Sequence, residues 1–199
     1  MNTVSVSIND RISWRAPVVM ALVVLLGFGF LYSLVTTVLV SSLFPSQAAG
    51  SLLTRDGQVV GSVWVAQAFT DDRYFYARPS AANYDPMAAA GSNWARSNPA
   101  LAERMATLRA DIAAREGVPP DQVPDELLTA SGAGFDPHLS PDGIAVQVAR
   151  VARARGLTEG ALQELVADQT EGPQFGVLGQ TRVNVLKLNL ALDQMQAGR

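Results

Sequence analysis

The run VVMALVVLLGFGFLYSLVTTVLV, from Val18 to Val40, constrains this chain more than any other feature. No charged residue stands between Arg15 and Arg55. A helix rises about 1.5 Å per residue, so this run spans a hydrocarbon core of about 30 Å. It is apolar on every face, unlike a helix that packs one stripe against a soluble core. A cleaved signal peptide would have a shorter apolar region, about 7–15 residues, before its small-residue cleavage site. SQAAG (46–50) has that small-residue character, but the run before it is too long, which favours a retained membrane helix. The expected organisation is a cytoplasmic tail over 1–15, a transmembrane helix over 16–44 closed by Pro45, and a soluble domain over 45–199. Gly27 and Gly29 would let another helix approach the span closely.

Flanking charge sets the expected orientation. Arg11 and Arg15 precede the span, and the next basic residue is Arg55. Positive flanks stay cytoplasmic, which puts the N-terminus inside and the domain outside the cell membrane, in a single-pass protein. The chain has no cysteine, which excludes thiol nucleophiles, thiolate zinc sites, iron–sulfur clusters and a disulfide framework. Of the 15 basic and 18 acidic residues, only Arg11, Arg15 and Asp10 precede the run, so the rest carries a formal charge of −4. That balance argues against nucleic acid as a partner.

The domain reads as α+β, a hairpin followed by several helices. Asp56-Gly57 between two β-rich runs predicts a hairpin with strands at 51–55 and 58–65. The stretch 71–99 mixes aromatics, prolines, Asn and Ser with no helical period, and ordered loops of that length are usually functional. Tyr74, Phe75 and Tyr76 with Arg78 read as packing rather than a stacking platform. Asn98 caps a helix with Pro99 at its first position and Leu101, Met105, Leu108 and Ile112 on one face; Gly117 ends it. A short helical turn covers 125–128. Ser140 caps a second helix, which runs through Ile144, Val148 and Val151 to Gly156; Arg150, Arg153 and Arg155 complement its dipole. Thr158 caps a third, with Leu157 and Leu162 as a staple and Gly172-Pro173 as its stop. The segment 182–193 fits either period; its Leu and Ala content favours helix.

TASGAGFDPHLSP (129–141) holds the only histidine. Ser131, Asp136 and His138 are the residue types of a hydrolase triad, but triad members normally converge from distant segments, and the G-x-S-x-G elbow is absent. The plain reading is structural: Gly132 and Gly134 supply unusual backbone angles, Asp136 makes an Asx turn, Pro137 stiffens the loop and Ser140 caps the next helix. No metal-ligand spacing occurs. Lys187 is the only lysine and no phosphate loop surrounds it, while Asp136 and Asp142 would repel a polyphosphate at Gly132–Gly134.

Six stretches in order, GSVWVAQAF, YFYARPSA, GSNWARSNPAL, TASGAGFDPHLSP, QVARVARARG and RVNVLKLNLALD, stand behind one N-terminal apolar helix. This arrangement resembles the C subunit of the Kdp potassium-transporting ATPases over nearly the whole chain. Local departures occur at Ala66, where that family usually has glycine, at Ala77, and at Ala95–Ser97. The resemblance implies a non-catalytic accessory subunit of an ATP-driven potassium importer, with an ATP-hydrolysing pump subunit and a channel-like potassium-binding subunit as partners and lipid around 18–40. ATP and potassium would be handled by the complex, with no cofactor bound by this chain alone. This chain has no D-K-T-G-T phosphorylation site and no T-V-G-Y-G filter. Two modes of assistance are proposed for the family: raising the pump subunit's affinity for ATP, and stabilising the assembly from the outer face. The charge-based topology favours the second. The candidate contact residues are Ser131, Gly132, Gly134, Asp136, Pro137, His138, Ser140, Arg78, Asn93 and Asn98. A stand-alone membrane-anchored periplasmic enzyme or binding protein is the competing reading.

Overall fold

A computed structural model describes residues 14–197, and the chain divides at Gly50/Ser51 into two compact units. The first is dominated by one helix, α1 (Arg15–Leu43), long and apolar enough to cross a membrane and with none of its most apolar stretch buried. Its 29 residues reach about 40 Å, close to the bilayer thickness with headgroups. Val24–Leu31, which holds Gly27 and Gly29, is π-wound. Serine hydroxyls along α1 donate back to carbonyls one turn earlier, Ser33 to Gly29 at 2.6 Å and Ser42 to Val38 at 2.7 Å. Such pairing hides polar groups from an apolar solvent. Phe44 leaves helical geometry (φ −132°, ψ 63°) because Pro45 follows it. A single turn, α2 (Pro45–Ala48), closes the unit.

The second unit is an α+β domain. The hairpin β1 (Leu52–Arg55) and β2 (Gln58–Ser62) turns at Asp56 (φ 52°) and Gly57 (φ 76°), the two positive angles that a type I′ turn demands. Its second strand stops short of the expected 65, and a bulge lies between Leu53 and Thr54. A three-stranded antiparallel sheet has the order β3 (His138–Leu139), β5 (Arg182–Asn184), β4 (Thr170–Glu171). Helices α3 (Pro99–Glu116), α4 (Pro141–Ala145), α5 (Val148–Arg155), α6 (Glu159–Asp168) and α7 (Val185–Ala197) complete it. Phe75, Leu139, Ile144, Val151, Leu162, Val183, Leu188 and Leu192 form the fully enclosed centre of the core.

Three expectations are corrected. The helix from Pro141 to Gly156 is two helices, α4 and α5, broken at Val146-Gln147, where the buried Gln147 side chain bonds backbone outside its own helix. The third helix ends at Asp168, not Gly172-Pro173, because Thr170 and Glu171 pair with β5. The segment 182–193 is both strand and helix, since Arg182–Asn184 pairs on both edges before α7 begins at Val185. The leucines 186, 188 and 192 are all buried, because α7 is enclosed on more than one face.

Candidate functional site

The loop 129–141 is built by its own polar groups. Ser131 is buried, and its hydroxyl accepts the Gly134 amide at 2.9 Å and the Asp136 amide at 3.4 Å. Asp136 forms the expected Asx turn, accepting the His138 amide at 3.0 Å. The Pro137 carbonyl accepts Val185 N–H at 2.9 Å, which ties the loop to the start of α7. Ser140 caps α4 by accepting Gly143 N–H at 3.1 Å. Gly134 is left-handed at φ +83°, and a Cβ there would stand 2.7 Å from both the Ala82 Cβ and the Ala90 carbonyl. Only Gly thus fits at 134. Gly132 does not share that role: its φ is not positive and a Cβ there meets nothing within 4 Å.

Arg78, Asp136 and His138 come together beside this loop. Arg78 places one guanidinium nitrogen 3.4 Å from Asp136 Oδ2 and the other 3.4 Å from Thr129 Oγ1, while its Nε is buried without a partner. His138 Nδ1 lies 3.4 Å from Asp136 Oδ1, and its ring meets Trp64 edge-on at 6.2 Å. The His138 side chain holds the Asp136 carboxyl below its usual value; partial burial works against this, and the His138 amide and Arg78 assist. Glu126 was not singled out from sequence, yet it accepts both the amide (3.2 Å) and the hydroxyl of Ser140. Its distance of fourteen residues from Ser140 left no local signal.

Asn93 and Asn98 lie apart from this cluster. Asn98 is the helix cap its position predicted, accepting Ala100 N–H at 3.0 Å. Asn93 is exposed and left-handed (φ 50°), two residues after Gly91, where a Cβ would stand 2.9 Å from the Gly132 carbonyl. Between them and Arg78 the chain is strained and over-determined: Asn83 (φ 50°) and Tyr84 (φ 61°) are both left-handed. Ser80 holds that turn, accepting the Ala82 and Tyr84 amides at 3.0 and 2.8 Å while its hydroxyl donates to the Gly134 carbonyl.

A second network was missed altogether. The segment 72–76 dips from the surface into the core at Phe75 with no strand beside it, and side chains supply its partners. Asn189 brackets Phe75, accepting its N–H and donating to its C=O, each at 2.9 Å. Gln147 does the same to Tyr76, at 2.8 and 3.2 Å. Arg150 donates to the carbonyls of Asp72 (2.7 Å) and Tyr74 (3.0 Å) and pairs with buried Glu116 at 2.8 Å. Arg155 donates to the Arg73 carbonyl at 2.7 Å and stacks over Tyr74. Arg150 therefore serves the Asp72 and Tyr74 carbonyls and Glu116 rather than the helix end, whereas Arg155, in the last turn of α5 as expected, also holds the Arg73 carbonyl. Tyr74–Tyr76 are packed, as expected, with Arg115 and Arg150 over the Tyr76 ring at 4.5 and 4.3 Å.

Chemically, this arrangement holds backbone in place. The Ser131 hydroxyl is occupied by amides, and His138 faces Asp136 and Trp64. Among the described residues, no group of three or more His, Asp or Glu could hold a metal ion.

Residues 14–194 match the family model for the K+-transporting ATPase c chain, KdpC. A potassium-transporting ATPase KdpC subunit from Xanthomonas campestris pv. campestris is 59% identical over 194 residues, covering 98% of this chain and 93% of the relative. Those of Shewanella putrefaciens and Sorangium cellulosum are 53% identical (88% of each chain) and 52% identical (89% of this chain, 95% of the relative). The chain belongs to the KdpC family, the c chain of K+-transporting ATPases.

Proposed function

We propose that this subunit acts by holding a rigid, partner-reading surface on the outer side of the membrane, anchored by α1 as a single span. Its family membership makes it an accessory component of a potassium-transporting ATPase and not itself the catalytic unit. The partners proposed are the pump subunit and the channel-like subunit, and ATP and potassium are handled there. The observation that carries the reading is the mutual bracing of two loops. Gly91 and Gly134 pack against backbone, Ser80 bonds Gly134, and the Ala90 amide donates to Ala133 at 3.1 Å. Strain of this kind persists only where the surroundings over-determine it, and it clusters at sites that must keep one shape.

Outward from this brace stand Gly132, Ala133, Asn93, Trp94 and Met87. Trp94 is held by Arg104, whose guanidinium lies 5.8 Å from its ring, and Trp is the residue type most enriched at interface hot spots. The test is co-expression with the other subunits. Trp94→Ser with Met87→Ser should sharply lower recovery of the complex while the domain unfolds at the wild-type midpoint. Normal recovery would remove this surface from the interface.

A further inference from the structure

The turn between β4 and β5 presents an apolar tip that the domain's own packing does not use. Phe175, Val177 and Leu178 are 84%, 80% and 58% exposed. Single exposed apolar residues are ordinary on a soluble surface; a contiguous group on one projecting turn is not. The tip is rigid. Gln174 and Leu178 exchange both backbone hydrogen bonds, at 2.8 and 2.9 Å, and Gly176 and Val177 donate to Pro173 and Gln174. Phe175 (φ 55°) and Gly176 (φ 77°) are both left-handed, which fixes the turn that carries the ring. No charge occurs from Gly172 to Thr181, and the neck is closed by Glu171, paired with Arg182 at 3.1 Å and Lys187 at 2.9 Å.

We propose that this tip inserts into the headgroup–acyl boundary of the bilayer that holds α1, as a second membrane contact of the domain. Residues 44–50 are all that separates α1 from the domain, a tether of at most about 25 Å when fully extended. The start of the domain is thereby kept close to the end of α1. Three apolar side chains on one projecting, uncharged turn suit insertion about 5–10 Å deep. The backbone bonds made inside the turn lower the cost of carrying its amides into an apolar layer. The proposal rests on the reading of α1 as a membrane span.

The cysteine-free chain allows a direct test in the co-expressed complex, reconstituted in nanodiscs with or without nitroxide-labelled lipids. Single probes of bimane are placed by Phe175→Cys, Val177→Cys, Phe28→Cys within α1, and Glu164→Cys on the exposed face of α6. The tip probes should lose about three times as much emission to shallow nitroxide lipids as the Glu164 probe, and be shielded from aqueous iodide. Tip probes quenched by iodide and not by lipid overturn the proposal. Tip probes shielded from both also overturn it and assign the tip to a protein contact. If the Phe28 probe also escapes lipid quenching, the anchor reading fails as well; if it alone is quenched, only the tip insertion fails.

Discussion

Replacing Asn189 by leucine should remove the support of the backbone at Phe75, the buried point of the segment 72–76. Asn189 is 2% exposed and spends its whole amide on Phe75, accepting its N–H and donating to its C=O. Leucine has similar bulk and suits the interior, so little cavity forms. The loss falls on the Phe75 N–H and C=O, which stay enclosed with no partner. Each buried group left unsatisfied costs about 1–3 kcal/mol, giving a destabilisation of about 2–6 kcal/mol. Against a domain stability of about 5–15 kcal/mol this is a large fraction. The assay is urea unfolding of the domain 51–199, with the midpoint and slope compared between wild type, Asn189→Leu and Gln194→Leu. Gln194 is exposed on the same helix and should change stability by less than about 0.5 kcal/mol. A loss at Asn189 as small as the one at Gln194 would refute the claim that this side chain substitutes for a strand partner.

Other outcomes follow from the same geometry. Gly134→Ala should destabilise the domain by about 1–3 kcal/mol through its backbone angle and the contact with Ala82 and Ala90, whereas Gly132→Ala should be close to neutral; equal effects in thermal unfolding would contradict this. Glu116→Ala leaves Arg150 buried with its ion-pair partner removed and should cost about 3–5 kcal/mol, read in the same urea titration. The Asp136 carboxyl, held below its ordinary value of 3.8 by His138 and Arg78, stabilises the fold fully above that value. That contribution disappears as pH falls through the lowered folded value, because the unfolded state takes up the proton first. Asp136→Asn should therefore flatten the decline in stability below about pH 4 relative to wild type.

Local rules made several features legible. Asp56-Gly57 could only be a tight turn, Asn98-Pro99 and Ser140-Pro141 could only open helices, and the charge-free run could only be an apolar helix. The Asx turn at Asp136 was equally local, whereas the demand for glycine at 134 and not at 132 depends on the approach of Ala82 and Ala90. What stayed hidden depends on distant partners. Strands of two or three residues at 138–139, 170–171 and 182–184 carry no periodicity, and only their pairing defines them. Gln147 and Asn189 look like ordinary polar residues in helical sequence until the segment 72–76 is laid against them, 71 and 114 residues away. Among the arginines of QVARVARAR, nothing nearby announced the carbonyls and the Glu116 that draw Arg150 inward. Of the contact candidates, Arg78, Ser131, Gly134, Asp136, Pro137, His138 and Ser140 build the loop from within, while Gly132 and Asn93 stand exposed beside Ala133 and Trp94.

The side of the membrane on which the domain works decides between a partner-reading surface and direct action on nucleotide. Ala133 is exposed at the tip of the braced loop, and the chain has no native cysteine. Ala133→Cys, expressed with the other subunits in intact spheroplasts, is treated with a membrane-impermeant maleimide beside a cytosolic thiol control. Labelling without lysis, with the control unlabelled, is the predicted result. Protection until lysis, with Ala133→Cys reactive in the solubilised complex, would place the domain in the cytoplasm and contradict the account.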